Sequence, residues 1–148
     1  MNIVTEIKAI AEAVNPTGTV TQLTSFEQNV KADNDDMPVI YFEVVKEQNI
    51  NRAGAMFKKW QLSMLFATIS DLADYTNDSP RVTFQDAMNE LCDDFYKQTG
   101  LATDSLDRRL FRQVTALERR SVTNWGDVNL SGIFLSVELE ELLPYARC

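Results

Sequence analysis

The fold is decided by the stretch from Arg112 to Leu142, which reads RQVTALERRSVTNWGDVNLSGIFLSVELEEL. Its second half alternates between an apolar set and a polar set, which are Ile133, Leu135, Val137 and Leu139 on one face and Ser136, Glu138 and Glu140 on the other. A period of two residues is typical of a strand with one buried face. The stretch therefore predicts two long strands joined through residues 124–127.

A second hairpin is predicted earlier in the chain. The strand Val39–Lys46 alternates in the same way, and Trp60–Ile69 is the returning strand. Between them, the polar segment Gln48–Phe57 indicates a long, mobile tip, so we expect a hairpin that protrudes around residues 47–58. The returning strand is apolar on both faces and needs cover on both. A helix is expected on one side, and a neighbouring subunit is one possibility for the other.

Two helices are expected to cover the sheet. Asn2 is a candidate N-cap for the first helix, whose apolar stripe has helical spacing: Ile3, Ile7, Ile10 and Val14. The second helix is expected to begin near Thr83, which forms a capping box with Asp86, and to end before Gly100. Thr19–Leu23 suits a short strand. The sequence thus predicts a single α+β domain over residues 1–148, with an antiparallel sheet, long hairpins and two helices on one face.

The composition is that of a globular protein with an acidic surface. Of the 148 residues 45% are hydrophobic and 24% charged, and the net charge is −8. A general nucleic-acid binder needs a basic face, which argues against that class. No apolar run approaches the roughly 20 residues needed to cross a bilayer, and residues 1–6 lack the features of a signal peptide. We therefore expect a reducing cytoplasm, with Cys92 filling the core and Cys148 as a disordered terminal residue.

The residues with chemical potential do not assemble into a recognisable active site. The chain has no histidine, so the commonest general base and metal ligand is missing. Residues 33–36 begin like a calcium loop, but Met37-Pro38 follows where a ligand and its spacing are required. Glu138 and Glu140 lack any companion signal of a sugar-binding cleft, which paired acid and base carboxylates would need. We expect no enzyme, no cofactor and no metal site.

Several charged and aromatic residues have two possible roles. The basic clusters Lys58-Lys59, Arg108-Arg109 with Arg112, and Arg119-Arg120 are either exposed to solvent or paired with acidic patches on adjoining subunits. Trp125 either packs over the end of the sheet or anchors an interface. Both roles remain open for each of these residues.

Four features of the chain together resemble a known family. They are an amphipathic helix starting near Met1, the strand Pro38–Lys46, a helix ending near Gly100, and a final hairpin in which residues 126–132 lead into the alternating strand Ile133–Leu142. This order resembles the tail-completion, or tail-terminator, proteins of tailed bacteriophages, a group that includes head–tail connector (neck) ring subunits. The resemblance covers most of the chain and is one of pattern.

The resemblance implies a structural virion protein, without enzymatic activity, that is assembled in the host cytoplasm. Such proteins form a ring, commonly hexameric, which terminates the tail tube and joins it to the capsid connector. The implied partners are copies of the chain itself, tail tube proteins and head connector proteins, with DNA passing through unbound and no membrane involved. The candidate interface residues are Ile50, Met56, Phe57, Trp60 and Trp125. The candidate channel-facing acids are Asp33, Asp35, Asp36, Glu138, Glu140 and Glu141.

Two alternatives remain beside this one. The chain is either another virion part, such as a baseplate or tail-tube-associated protein, or a small carboxylate-using enzyme or ligand-binding domain. The last of these requires a concave pocket lined by converging polar groups, which no sequence motif indicates.

Overall fold

Two helices and five strands make up the part of the chain that the structure, a computed structural model, describes: residues 2–23, 36–52, 55–69, 78–125 and 130–142. The elements in chain order are α1 (Ile3–Val14), β1 (Thr19–Gln22), β2 (Val39–Arg52), β3 (Ala55–Ile69), α2 (Asp78–Leu101), β4 (Phe111–Trp125) and β5 (Leu130–Leu142). The predicted α+β class is confirmed.

The five strands form one sheet in the order β1-β2-β3-β5-β4. The pairs β2–β3, β3–β5 and β4–β5 are antiparallel, as expected for the two hairpins. The predicted antiparallel sheet is confirmed only in part, because β1 pairs with β2 in parallel, from Thr19 opposite Val39 to Gln22 opposite Phe42. The apolar pattern of a short strand does not encode the direction of its neighbour, so the parallel pairing of β1 could not be predicted from it.

The hairpin β2–β3 is longer than predicted. The segment Gln48–Phe57 is not an open tip, since its pairing continues from Gln48 opposite Lys59 to Arg52 opposite Ala55. The strand β5 accompanies β3 as far as Leu142, which lies opposite Phe57. Of the described residues of this hairpin, 51, 52, 55 and 56 extend past the end of β5, and we call this region the hairpin end below. The strands β4 and β5 meet at the opposite end of the sheet, where Trp125 pairs with Leu130 next to Ile69.

Both helices cover one face of the sheet, as predicted. The side chain of Asn2 caps α1 by accepting the N–H groups of Val4 and Thr5 at 3.0 and 3.3 Å. Phe95 of α2 packs against Phe66 of β3, with ring centroids 5.7 Å apart. The core on this face combines the helices with alternate strand residues: Ile3, Ile7, Ala11, Met88, Leu91, Cys92 and Phe95 with Ile40, Phe42, Leu62, Met64, Phe66, Ile133, Leu135, Val137 and Leu139.

The helix α2 differs from its prediction at both ends. It begins at Asp78 rather than near Thr83, so the expected capping box lies inside the helix. Pro80 sits in the first turn, where backbone N–H groups have no intrahelical partner, so the missing N–H costs nothing there. The helix ends at Leu101, one residue past Gly100.

The second face of the sheet also has an apolar half. Its buried residues form a separate cluster: Leu23, Val39, Tyr41, Leu65, Ala67, Val122 and Leu130. Each is at most 9% exposed in the single chain. A neighbouring subunit is therefore not needed to cover them, which corrects one of the two possibilities raised by the sequence. Towards the hairpin end this face becomes polar, where Glu43, Ser63 and Ser136 lie side by side.

Candidate assembly site

Most of the described candidate residues meet at one end of the sheet. Pairing between β3 and β5 sets Trp60 opposite Leu139, Lys59 opposite Glu140, and Lys58 opposite Glu141. We call this region the charged end of the sheet, and define it by residues 57–60 of β3, Arg112 of β4 and residues 138–141 of β5.

On the helix-covered face, the charged end is held by an indole–carboxylate hydrogen bond. Trp60 Nε1 donates to Glu141 Oε2 at 3.0 Å, and both residues are buried. Lys58 lies over the Trp60 ring, with Nζ 5.6 Å from the centroid, and also 3.2 Å from Glu47 Oε1. The indole N–H of Trp60 and the carboxylate of Glu141 are therefore hydrogen-bonded to each other within the chain.

On the other face, a lysine bridges two carboxylates. Lys59 Nζ lies 3.0 Å from Glu138 Oε1 and 3.8 Å from Glu140 Oε1. The side chain of Glu140 is only 7% exposed, against 21% for Lys59 and 27% for Glu138. The Arg112 guanidinium lies 4.9 Å from the Phe57 ring centroid. The charges here are largely neutralised inside the chain.

This geometry corrects four of the candidate assignments. Phe57 and Trp60 are buried in the single chain, so they cannot serve as exposed interface anchors. Glu140 and Glu141 are each 5% exposed, so they do not face a channel. Glu140 and Glu141 are buried against Lys59 and Trp60, which belong to β3, a strand distant from β5 in sequence.

The remaining candidates stay predictions. Among the acids, Asp36 is exposed and Glu138 is half-buried. Asp33 and Asp35 lie outside the described residues. The backbones of Ile50, Met56 and Trp125 belong to β2, β3 and β4, but their side chains lie outside what the structure describes.

The basic clusters bind acids of their own chain wherever the structure shows an ion pair. Arg119 ties β4 to α2, with Nη1 2.6 Å from Asp93 Oδ1 and Nη2 2.7 Å from Asn89 Oδ1. Arg108 Nε lies 2.9 Å from Asp104 Oδ2, and Arg120 Nε lies 3.0 Å from Glu118 Oε1. Arg108, Arg119 and Arg120 thus have acidic partners within their own chain.

The acidic and cysteine side chains of the described residues are not arranged as a metal site. Within ranges 2–23, 36–52, 55–69, 78–125 and 130–142, no three His, Cys, Asp or Glu side chains are grouped to hold a metal ion. Cys92 is fully buried, as predicted. Burial raises the pKa of its thiol to about 11, although the positive charge of Arg119 partly opposes the shift. At neutral pH this thiol is protonated and shielded, so it is a poor nucleophile.

The buried thiol makes stability depend on alkaline pH. Below the ordinary pKa of 9.0, Cys92 is neutral in both folded and unfolded chains. As the pH rises from there towards about 11, the thiol ionises only in the unfolded chain, so the folded state loses stability. Between roughly pH 8 and 11, we expect the free energy of unfolding of Cys92→Val to fall by about 2 kcal/mol less than that of the wild type. Each unit of difference between the folded and unfolded pKa corresponds to about 1.4 kcal/mol.

Urea unfolding followed by circular dichroism at both pH values measures this difference. The matched control is Cys148→Ser, which removes the other thiol and is expected to keep the wild-type dependence. Equal losses in the wild type and Cys92→Val would contradict the assigned role of Cys92.

Two exposed bulges mark the outer edges of the sheet. Pairing between β2 and β3 passes from Val44 to Lys46 without Val45, and pairing between β4 and β5 passes from Ala116 to Glu118 without Leu117. Val45 is 51% exposed and Leu117 is 49% exposed. Sequence reasoning missed both, although two consecutive apolar residues that break the alternation were a visible signal.

A shallow groove separates α1 from the end of α2. Its volume is about 310 Å³, and small apolar residues form most of its walls, including Ala9, Ile10, Ala13 and Ala102. A ligand site normally adds several converging polar groups to such a groove. Here Glu6, Gln98 and Thr103 are the polar lining residues, and no buried pair of them points inwards. Neither described helix is long and apolar enough to cross a membrane.

Comparison with known proteins gives no relative. The chain matches no protein-family model, and no curated protein is similar to it in sequence. The resemblance to tail-terminator proteins therefore depends on the order of elements alone. That order, a capped first helix, a hairpin, a long second helix and a final hairpin, is the order of elements in the structure.

Proposed function

We propose that the protein is a structural subunit of a tailed bacteriophage that assembles into a ring at the head–tail junction. The ring terminates the tail tube and joins it to the capsid connector. The observation that carries this proposal is the architecture itself. A sheet with both helices on one face ends in a two-stranded ribbon, residues 51–56, that extends past its neighbours. Such a ribbon has a free length with which to reach an adjoining copy.

Charge supports the same role. The chain has a net charge of −8, and a negative surface lets DNA pass through a channel without adhering to it. Asp36 is the exposed member of the acidic set among the described residues, and it lies at the start of the segment that leads into β2. We assign Asp36, together with Asp33 and Asp35, to the channel surface. Glu140 and Glu141 are excluded by their burial.

Shortening the ribbon tests the proposal. Replacing residues 51–56 by Asn-Gly keeps the pair Ile50–Phe57 and closes it with a favoured two-residue turn. We expect the variant to fold with an unchanged circular dichroism spectrum and to lose most of its ring, because the reach between copies is removed. Native mass spectrometry and negative-stain microscopy of the wild type and the variant measure this.

The matched control exchanges two residues within the ribbon. Arg52→Ala combined with Ala55→Arg keeps the length, composition and cross-strand pairing and leaves the candidate interface residues unchanged. This control is expected to retain the ring. A wild type that stays monomeric at high concentration would refute the ring, and a shortened variant that assembles normally would refute the role of the ribbon.

A further inference from the structure

We propose that copies of the chain join edge to edge, with the outer edge of β2 in one copy pairing with the outer edge of β4 in the next. The sheets of all copies then form one continuous sheet around the ring. This inference depends on the proposed ring and names the surface that builds it.

Strand direction permits this pairing without inverting any copy. The strand β3 runs opposite to β2, β5 runs opposite to β3, and β4 runs opposite to β5. Therefore β2 and β4 run in opposite directions and lie at opposite sides of the sheet. A copy rotated about an axis roughly along the strands presents its β4 to β2 as an antiparallel partner. A contact between two different surfaces repeated in this way closes into a ring.

The outer edge of β2 is open over much of its length. The strand β1 pairs with it only as far as Phe42, whose carbonyl also accepts the N–H of Leu23 at 2.8 Å. From Glu43 onwards, no described strand pairs with this edge, and residues 45–49 are all exposed. We call the run Glu43–Asn49 the β2 edge.

The outer edge of β4 is open over a matching length. Within the described chain, β4 pairs only with β5. Near its start, Tyr96 Oη donates to the carbonyl of Val114 at 2.8 Å, so α2 occupies that position. Beyond it, residues 116–121 are all exposed. We call the run Thr115–Ser121 the β4 edge.

Each edge carries one large apolar side chain that is about half exposed. Proteins normally protect open edges with charges, prolines or bulges that turn the edge away. Here each bulge instead points a large apolar residue outwards, Val45 on the β2 edge and Leu117 on the β4 edge, and about half of each is exposed. Pairing of the two edges removes both from water.

The charges select the β2–β4 combination over pairing of like edges. The β2 edge has two acids and one base, Glu43, Glu47 and Lys46. The β4 edge has two bases and one acid: Arg119, Arg120 and Glu118. Opposite charges facing across paired strands stabilise them, and like charges destabilise them. Because Arg119 pairs with Asp93, Arg120 with Glu118 and Glu47 with Lys58 inside each chain, only the net charges of the edges, −1 for β2 and +1 for β4, favour unlike edges over like ones.

Single substitutions at the two edges test this arrangement. In native mass spectrometry, the wild type is expected at the mass of a ring, and Val45→Lys or Leu117→Lys alone at the 16.8 kDa of one protomer. An equimolar mixture of the two variants is expected to give heterodimers and no ring, because each variant retains one intact edge. The matched control is Leu106→Lys, since Leu106 is 68% exposed but lies between α2 and β4, off both edges. The control is expected to keep the ring.

A crosslinking measurement decides the matter if a lysine variant fails to fold. Val45→Cys combined with Leu117→Cys, in a Cys148→Ser background, is expected to give covalent multimers up to the ring size on treatment with oxidised glutathione. Each single cysteine variant is expected to give only monomers or disulfide-linked dimers. A wild-type ring that survives both lysine substitutions, with no multimers from the double cysteine variant, overturns edge pairing and leaves the ring standing. A monomeric wild type overturns the ring and the edge pairing together.

Discussion

Gly132→Ala is expected to lower the free energy of unfolding by about 3 kcal/mol, near the upper end of the cost of overpacking a core. Gly132 lies opposite Ala67 in the centre of the sheet. A Cβ at this position overlaps the carbonyl oxygen of Phe66 and lies 2.8 Å from the Cα of Ala67. Both atoms belong to the backbone of β3, so no side-chain rotation can relieve the overlap. Urea unfolding followed by circular dichroism measures the loss.

A second glycine-to-alanine substitution provides a control that is expected to change stability in the opposite direction. At Gly100, inside α2, an added Cβ meets no atom within 4 Å. Gly100→Ala is therefore expected to raise the free energy of unfolding by about 0.5–1 kcal/mol, because alanine has less backbone freedom to lose in a helix. If Gly132→Ala proved as stable as the wild type, the close approach of β5 to β3 at this point would be wrong.

Lys59→Met is expected to lower the free energy of unfolding by about 2 kcal/mol. The methionine keeps the apolar stem but removes the ammonium that lies between Glu138 and Glu140. Breaking a fully buried ion pair costs about 3–5 kcal/mol, and we reduce this figure because the Lys59 side chain is 21% exposed. Thermal and urea unfolding of the purified chain measure the effect.

Two comparisons isolate the cause of that loss. Lys8→Met removes a lysine that is 50% exposed and 3.9 Å from Glu12, and is expected to change stability by less than about 0.5 kcal/mol. Adding Glu138→Gln and Glu140→Gln to Lys59→Met also removes the two negative charges that the ammonium contacted and is expected to restore much of the loss. A triple variant no more stable than Lys59→Met would show that the loss does not come from the negative charges of Glu138 and Glu140.

The parts of the fold that follow from periodicity were predictable from the sequence. Ile133, Leu135, Val137 and Leu139 lie under the helices, as their spacing requires, because one face of β5 is buried and the other is polar. Asn2 caps α1 because its side chain is the right length to accept the first free N–H groups. Both features are determined by interactions and patterns that extend over only a few residues of sequence.

The parts that depend on distant residues were not predictable. Residues 48–52 extend β2, and the exposed polar residues Gln48 and Asn49 have no hydrophobic period that would reveal a strand. Glu140 and Glu141 looked exposed because they are charged, yet their partners Lys59 and Trp60 come from β3. The bulges at Val45 and Leu117 lay within the reach of sequence reasoning, as breaks in an otherwise alternating strand.

The hairpins β2–β3 and β4–β5 close at opposite ends of the sheet, which would give the proposed ring two different rims. When every copy stands the same way round, one rim collects all the ribbons at residues 51–56 and the other collects all the junctions after Trp125. Two such chemically distinct rims suit an adaptor that meets the tube on one side and the capsid on the other. In the proposed ring, substitutions near Trp125 that leave the ribbons intact should then abolish one attachment and spare the other.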